Sequence, residues 1–149
     1  MNAPAFQPVD VHYRARVRES FSRQKAMALI GASLAAVEAG RVEIALPYRD
    51  DLTQQKGFVH GGIIGMIADT ACGYAAFSLM PAGGSLVTVE YKMNILTPAR
   101  SSLVARGEVI RPGRTLTIAR AEVYAEDGKH VATMQQTLMA LPERPDRPE

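Results

Sequence analysis

The strongest constraint in this chain is an apolar run at residues 58–80 with one carboxylate, Asp69, in its middle. An unpaired carboxylate in an apolar setting costs several kcal/mol, of that order, unless it is hydrogen-bonded or paired. The run is long enough to be mistaken for a membrane span. His60, Asp69, Ser78 and many Gly and Ala residues break it, and a central Asp alone costs roughly 2.5–3.5 kcal/mol on insertion scales. No second span or flanking basic cluster accompanies it. It reads instead as a buried helix of about 60–80, started by His60-Gly61-Gly62 and stopped before Pro81-Ala82-Gly83-Gly84. A helix that long should be the spine of a 149-residue domain.

The remainder supplies strands. Val87, Val89, Tyr91, Met93 and Ile95 alternate with polar residues, a period of two. On that count Thr88 falls on the polar face. Residues 102–110, 115–125 and 130–141 continue the pattern. Pro112-Gly113 has the form of a type II turn and Asp127-Gly128 that of a hairpin turn. Upstream, a hairpin is expected with strands at about 27–38 and 41–48, turning at Gly40. Tyr13, Val17 and Phe21 mark a short amphipathic helix that Asp10 can cap. Its Arg14, Arg16, Arg18, Arg23 and Lys25 form either a solvated face or a basic rim for an anion. A sheet of five or six antiparallel strands needs a cover, and only the 60–80 helix has enough apolar surface. The expected fold is α+β, a curved antiparallel sheet wrapped around a long central helix. The expected division is an extension at 1–26, with residues 1–9 frayed, a domain at 27–141 and a disordered tail at 142–149.

Charge and cysteine content narrow the function. Seventeen basic and 15 acidic residues leave a net charge of +2, too balanced to argue for nucleic acid. The single cysteine, Cys72, excludes an internal disulfide, and no Cys/His cluster suggests a metal. The N-terminus lacks the apolar core of a signal peptide, so a cytoplasmic protein without membrane contact is expected.

Gly61, Gly65, Asp69 and Gly73 are spaced by four and share one helix stripe. The glycines either let another element approach, with Asp69 a structural acid, or leave room for a ligand on which Asp69 acts. The first turn, His60-Gly61-Gly62, exposes backbone N–H groups suited to an oxyanion. Gly61 and Asp69 lie eight residues apart, roughly 12 Å by helical rise. One carbonyl cannot be reached by both from one chain, so a shared site requires two chains. A Ser/His/Asp arrangement is disfavoured because GxSxG is absent. Cys72 reads as a small core residue.

The pattern Q-x5-HGG-x7-D, carried by Gln54, His60, Gly61, Gly62 and Asp69, together with TVEYKMNILTPA at residues 88–99 and the later RPGRT, resembles the hotdog-fold acyl-CoA thioesterases of the PaaI-like group. The resemblance covers roughly residues 27–140. It implies hydrolysis of acyl-CoA or aryl-CoA by a homodimer, commonly paired into a homotetramer, with no cofactor beyond the CoA of the substrate. It implies that Asp69 is general base or nucleophile, that the Gly61 N–H of the neighbouring chain polarises the thioester carbonyl, and that Gln54 orients water or the carbonyl. His60 would shape the loop, and Thr88 matches a Ser/Thr position near the acid. Gly62, Gly65 and Gly73 would leave space for substrate. Arg111 and Arg114 are candidates for the CoA phosphates, as are Lys56, Lys92 and Arg100. A non-hydrolytic acyl-CoA or aromatic-ligand binder, or an acyl-thioester hydratase using His60 with Asp69, remain alternatives on the same fold.

Overall fold

A computed structural model describes residues 6–142. Of the expected tail at 142–149, all but Pro142 lies outside the described residues, as do the first five residues. The chain runs α1 (Tyr13–Ser22), α2 (Lys25–Ile30), β1 (Ser33–Glu38), β2 (Arg41–Leu46), a short 3-10 turn (Asp50–Leu52), α3 (Gly61–Phe77), β3 (Ser85–Ile95), β4 (Leu103–Arg111), β5 (Leu116–Ala125) and β6 (His130–Leu141). The strands form one six-stranded sheet in the order β1-β2-β4-β5-β6-β3, and every pairing is antiparallel. The sheet curves around α3 as expected. Among the described residues no helix is long and apolar enough to cross a membrane.

Close packing of helix on sheet follows from short side chains on both surfaces. Ala68, Ala71, Cys72 and Ala75 are fully buried on α3, facing a sheet interior that includes Ala105, Ala119 and Ala121. At Gly107 on β4 the backbones nearly touch. A β-carbon there would fall 2.7 Å from the Cys72 amide nitrogen and closer still to the Ala71 carbonyl. Ile64, Ile67, Leu103, Met134 and Leu138 fill the space further out.

Three local readings change. Residues 27–30, expected at the start of the first strand, are helical as part of α2. Lys, Ala, Met and Leu are good helix formers, and Gly31 closes the turn in the left-handed conformation (φ 75°) that suits a helix end. Gly113 is not among the glycines with positive φ, so the Pro112 turn is not type II. The central helix ends at Phe77 rather than near residue 80.

That early end is fixed by Arg16. Its guanidinium donates to the carbonyls of Met80 (2.8 Å) and Phe77 (3.3 Å), lies over the Phe77 ring at 4.4 Å, and is held from behind by Asp10 (2.8 Å). Asp10 also accepts from the His12 amide (2.9 Å), although His12 occupies the N-cap position. Arg14 is likewise fixed, donating to the Val37 carbonyl and pairing with Glu38. These two cations join α1 to the fold rather than forming an open rim. Phe6, in the stretch expected to fray, packs against the core beside Gly40.

Candidate active site

The loop feeding α3 is built to be rigid. Gly57 takes a positive φ, its carbonyl accepts from the Tyr48 hydroxyl, and Arg100 donates to the Lys56 carbonyl (2.7 Å) while lying over Phe58 at 4.2 Å. Arg100 is therefore a support of this loop. The Gln54 side-chain oxygen accepts from the Lys56 amide. The chain then enters the helix through His60, whose Nδ1 accepts from the Gly62 N–H at 2.9 Å. That bond occupies the Gly62 donor. The Gly61 N–H, first in the helix, points out of a turn where no intrahelical acceptor exists.

Halfway along α3, Asp69 faces β3 and β6. The Thr88 hydroxyl donates to Asp69 Oδ1 at 2.7 Å. Gln136 Nε2 donates to the same oxygen at 2.5 Å and to Thr88 Oγ1 at 2.7 Å, closing a triangle. Oδ2 takes part in none of these bonds. The strand count that put Thr88 on the polar face fails because the β3–β6 register shifts between Thr88 and Glu90. Before this bulge Thr88 pairs with Leu138, and after it Tyr91 pairs with Gln136 and Met93 with Met134. An extra residue reverses the alternation, so Thr88 and Tyr91 share the helix-facing side.

Gln136 escaped the motif reading. It is 0% exposed between buried Met134 and Leu138 on the inner side of β6. The signal was available: alternation along β6 puts an amide in a row of apolar residues.

Asp69 and Thr88 border a cavity of about 370 Å³ between α3, β3 and the N-terminal helices. Met27, Met66, Tyr74 and Phe77 give it an apolar wall. Tyr74 is fixed edge-on between Phe21 and Phe77, with its hydroxyl 3.1 Å from Ser20 Oγ. The glycine stripe differs from end to end. Beside Gly65 the space is filled by Met93 and the Tyr91 hydroxyl, each 3.5 Å from where a β-carbon would lie. Beside Gly73 a β-carbon would meet nothing within 4 Å, and Gly73 lines the cavity. Beneath this site Cys72 is fully buried, and burial together with the nearby Asp69 pushes its thiol far above the usual range.

The expected residues thus fall into two groups. Asp69, Thr88 and Gly73 meet at the cavity. Gln54, His60, Gly61 and Gly62 gather at the start of α3, away from it along the helix axis. Arg111 ends β4 and is exposed; Arg114 lines a separate groove with Met80, Pro81 and Gly84, which shares Leu86 with the Asp69 cavity. Lys92 donates to Asn94 on β3.

The sequence profile of the thioesterase superfamily matches residues 56–132. A thioesterase family protein from Silicibacter pomeroyi is 51% identical, with 87% of this chain and 98% of that chain covered and a TM-score of 0.84. The E. coli PaaI protein, from the phenylacetic acid degradation operon, has a TM-score of 0.81 over 89% of this chain and 96% of its own, at 19% identity, a likeness of fold. A Halobacterium salinarum protein provisionally named as an esterase is 32% identical over 102 residues, which are 65% of this chain and 68% of that protein.

Proposed function

This chain belongs to the thioesterase superfamily, and from that premise we propose that it hydrolyses acyl-CoA or aryl-CoA thioesters to the free acid and CoA. The observation that carries the reading is the Asp69 carboxylate, held at one oxygen by Thr88 and Gln136 while bordering an apolar cavity. An acyl or aryl group lies in that cavity, and Asp69 faces the thioester carbon. As general base, Asp69 takes a proton from water as its oxygen attacks the carbonyl; the C–S bond then breaks and thiolate leaves. As nucleophile, an Asp69 oxygen attacks the carbonyl, the C–S bond breaks with loss of thiolate, and water cleaves the mixed anhydride so formed. Single turnover in heavy-oxygen water labels Asp69 only in the second route, when water opens the anhydride at the aspartyl carbonyl. A thiolate is a good leaving group, so neither route needs a strong acid beside the sulfur.

Negative charge develops on the carbonyl oxygen and calls for donors aimed at it. The Gly61 N–H of a second copy supplies them, since Gly61 and Asp69 of one chain are eight residues apart on one helix. The face for that copy is β3, the sheet edge, which exposes Val87, Val89, Tyr91 and Ile95, with Leu96 exposed just beyond its end. An apolar edge strand left open is a pairing surface. Gln54 and His60 enter the site with Gly61, and Arg111 and Arg114 are the cations proposed for CoA phosphates. We place the enzyme in the cytoplasm as a homodimer that pairs again into a tetramer. His60 Nδ1 is engaged in capping α3, which leaves only Nε2 for the acid–base step that the hydratase alternative asks of it.

Thiol release from a panel of acyl- and aryl-CoAs tests the reading, with Asp69→Ala and Asp69→Asn beside the parent. The parent turns over, and both variants lose at least about 100-fold in kcat. Binding without turnover by the parent favours the ligand-binding alternative, and unchanged rates in both variants exclude the role of Asp69.

A further inference from the structure

Gln136 is an unusual residue for its place. Its side chain is wholly enclosed on the inner side of β6, and its Oε1 is the one buried side-chain oxygen or nitrogen among the described residues without a hydrogen-bond partner. A buried polar atom left unpartnered opposes folding, whereas an apolar side chain of the same shape does not. Met134 and Leu138, on either side of it, show what the position accepts. Both hydrogen bonds that the amide makes go to Asp69 and Thr88. Its polarity thus serves that pair and nothing else in the core.

We infer that Gln136 is a positioning residue of the active site: its amide fixes Asp69 Oδ1 and the Thr88 hydroxyl so that Oδ2 is the oxygen presented to substrate or water. This rests on the proposed role of Asp69. Chemistry sets the orientation, since only the NH2 end of an amide faces an ionised carboxylate favourably. The same NH2 group lies within hydrogen-bond distance of both Oδ1 and Thr88 Oγ1, and the Thr88 hydroxyl donates to that same Oδ1. Thr88 stands on an edge strand just before a bulge, an exposed setting in which its rotamer needs support. Gln136, from the rigid second strand of the sheet, gives that support. Misplacing a reacting group by even 1 Å is worth about 100-fold in rate.

The test uses the full chain with Gln136→Met, which keeps length and removes both donors, and Gln136→Glu, which keeps shape and replaces the donors with oxygen. Asp69→Asn runs beside them. Thiol release gives kcat and KM on the best substrate of the panel, and thermal unfolding gives Tm. Gln136→Met is expected to melt at or above the parent, to lose about 10- to 100-fold in kcat and to keep KM within about threefold. Gln136→Glu is expected to lose kcat likewise. Because the three groups form a closed triangle, Thr88→Val combined with Gln136→Met should lose less than the product of the single losses. If Gln136→Met keeps the parental kcat while Asp69→Asn is inactive, the inference fails and the role of Asp69 stands. A fall in Tm that accounts for the lost rate in both Gln136 variants also overturns it, since the amide is then a structural group. If Asp69→Asn hydrolyses at the parental rate, the reading beneath the inference fails.

Discussion

At the scale of single residues, position along α3 separates chemistry from packing. Cys72 and Asp69 are three residues apart, yet one is sealed against the sheet and the other borders a cavity. A thiol whose deprotonation is strongly suppressed by burial is a poor nucleophile. Cys72→Ala should therefore keep kcat within about twofold, and thiol-alkylating reagents should leave the native parent active. Gly73 sits one turn beyond Asp69, where an added side chain enters open space. Gly73→Leu should fold, since leucine is the better helix former, and should occupy the acyl cavity. Its kcat/KM for bulky aryl-CoAs relative to acetyl-CoA is expected to fall at least about tenfold. An unchanged preference would remove Gly73 from the acyl site.

Elements are held by contacts that short-range patterns do not describe. Gly107→Ala inserts a methyl between the backbones of β4 and α3, with nothing flexible to yield. A loss of about 3 kcal/mol or more is expected in urea unfolding. Arg16 joins α1 to carbonyls at the end of α3 and just beyond it, and its hydrogen bond to Asp10 holds that carboxyl below its ordinary value of 3.8. A carboxyl with a depressed folded-state value binds fewer protons folded than unfolded, so its contribution is full above its unfolded value and fades as pH falls through the folded one. Parent and Asp10→Asn should differ in Tm above about pH 5 and converge in strong acid. A gap that persists at pH 2 would assign the effect to packing.

The central helix, the strand-rich second half and the turns at Gly40 and Asp127-Gly128 were legible because each has a local cause: apolar run, alternation, or a residue free to take positive φ. Thr88 was misplaced because one bulged residue reverses the parity of a strand and leaves no mark in the alternation. Residues 27–30 read as extended because apolar runs do not separate short helices from strands. Gln136 and Gly107 act through partners 35 to 67 positions away in the chain, which no window along the sequence contains. Asp69 was legible as a cost, but not what offsets it.

For the whole molecule, the two groups of site residues lie apart on one helix, and an apolar edge strand lies open beside them. Val89 is 53% exposed on that edge. Val89→Lys should shift sedimentation towards monomer and lower activity in parallel, with folding intact by circular dichroism; a full-size assembly with that variant would move the interface elsewhere. The central claim is that each site takes Asp69 from one chain and the Gly61 N–H from another. Gly61→Pro removes that N–H, and the first helical position is one where proline is well tolerated. Asp69→Asn and Gly61→Pro should each be inactive alone. Unfolded together and refolded at equal amounts, they should recover about a quarter of parental activity, because half of random dimers are mixed and each mixed dimer has one intact site of two. Mixed dimers, verified by mass, that stay as inactive as the single variants would contradict the account.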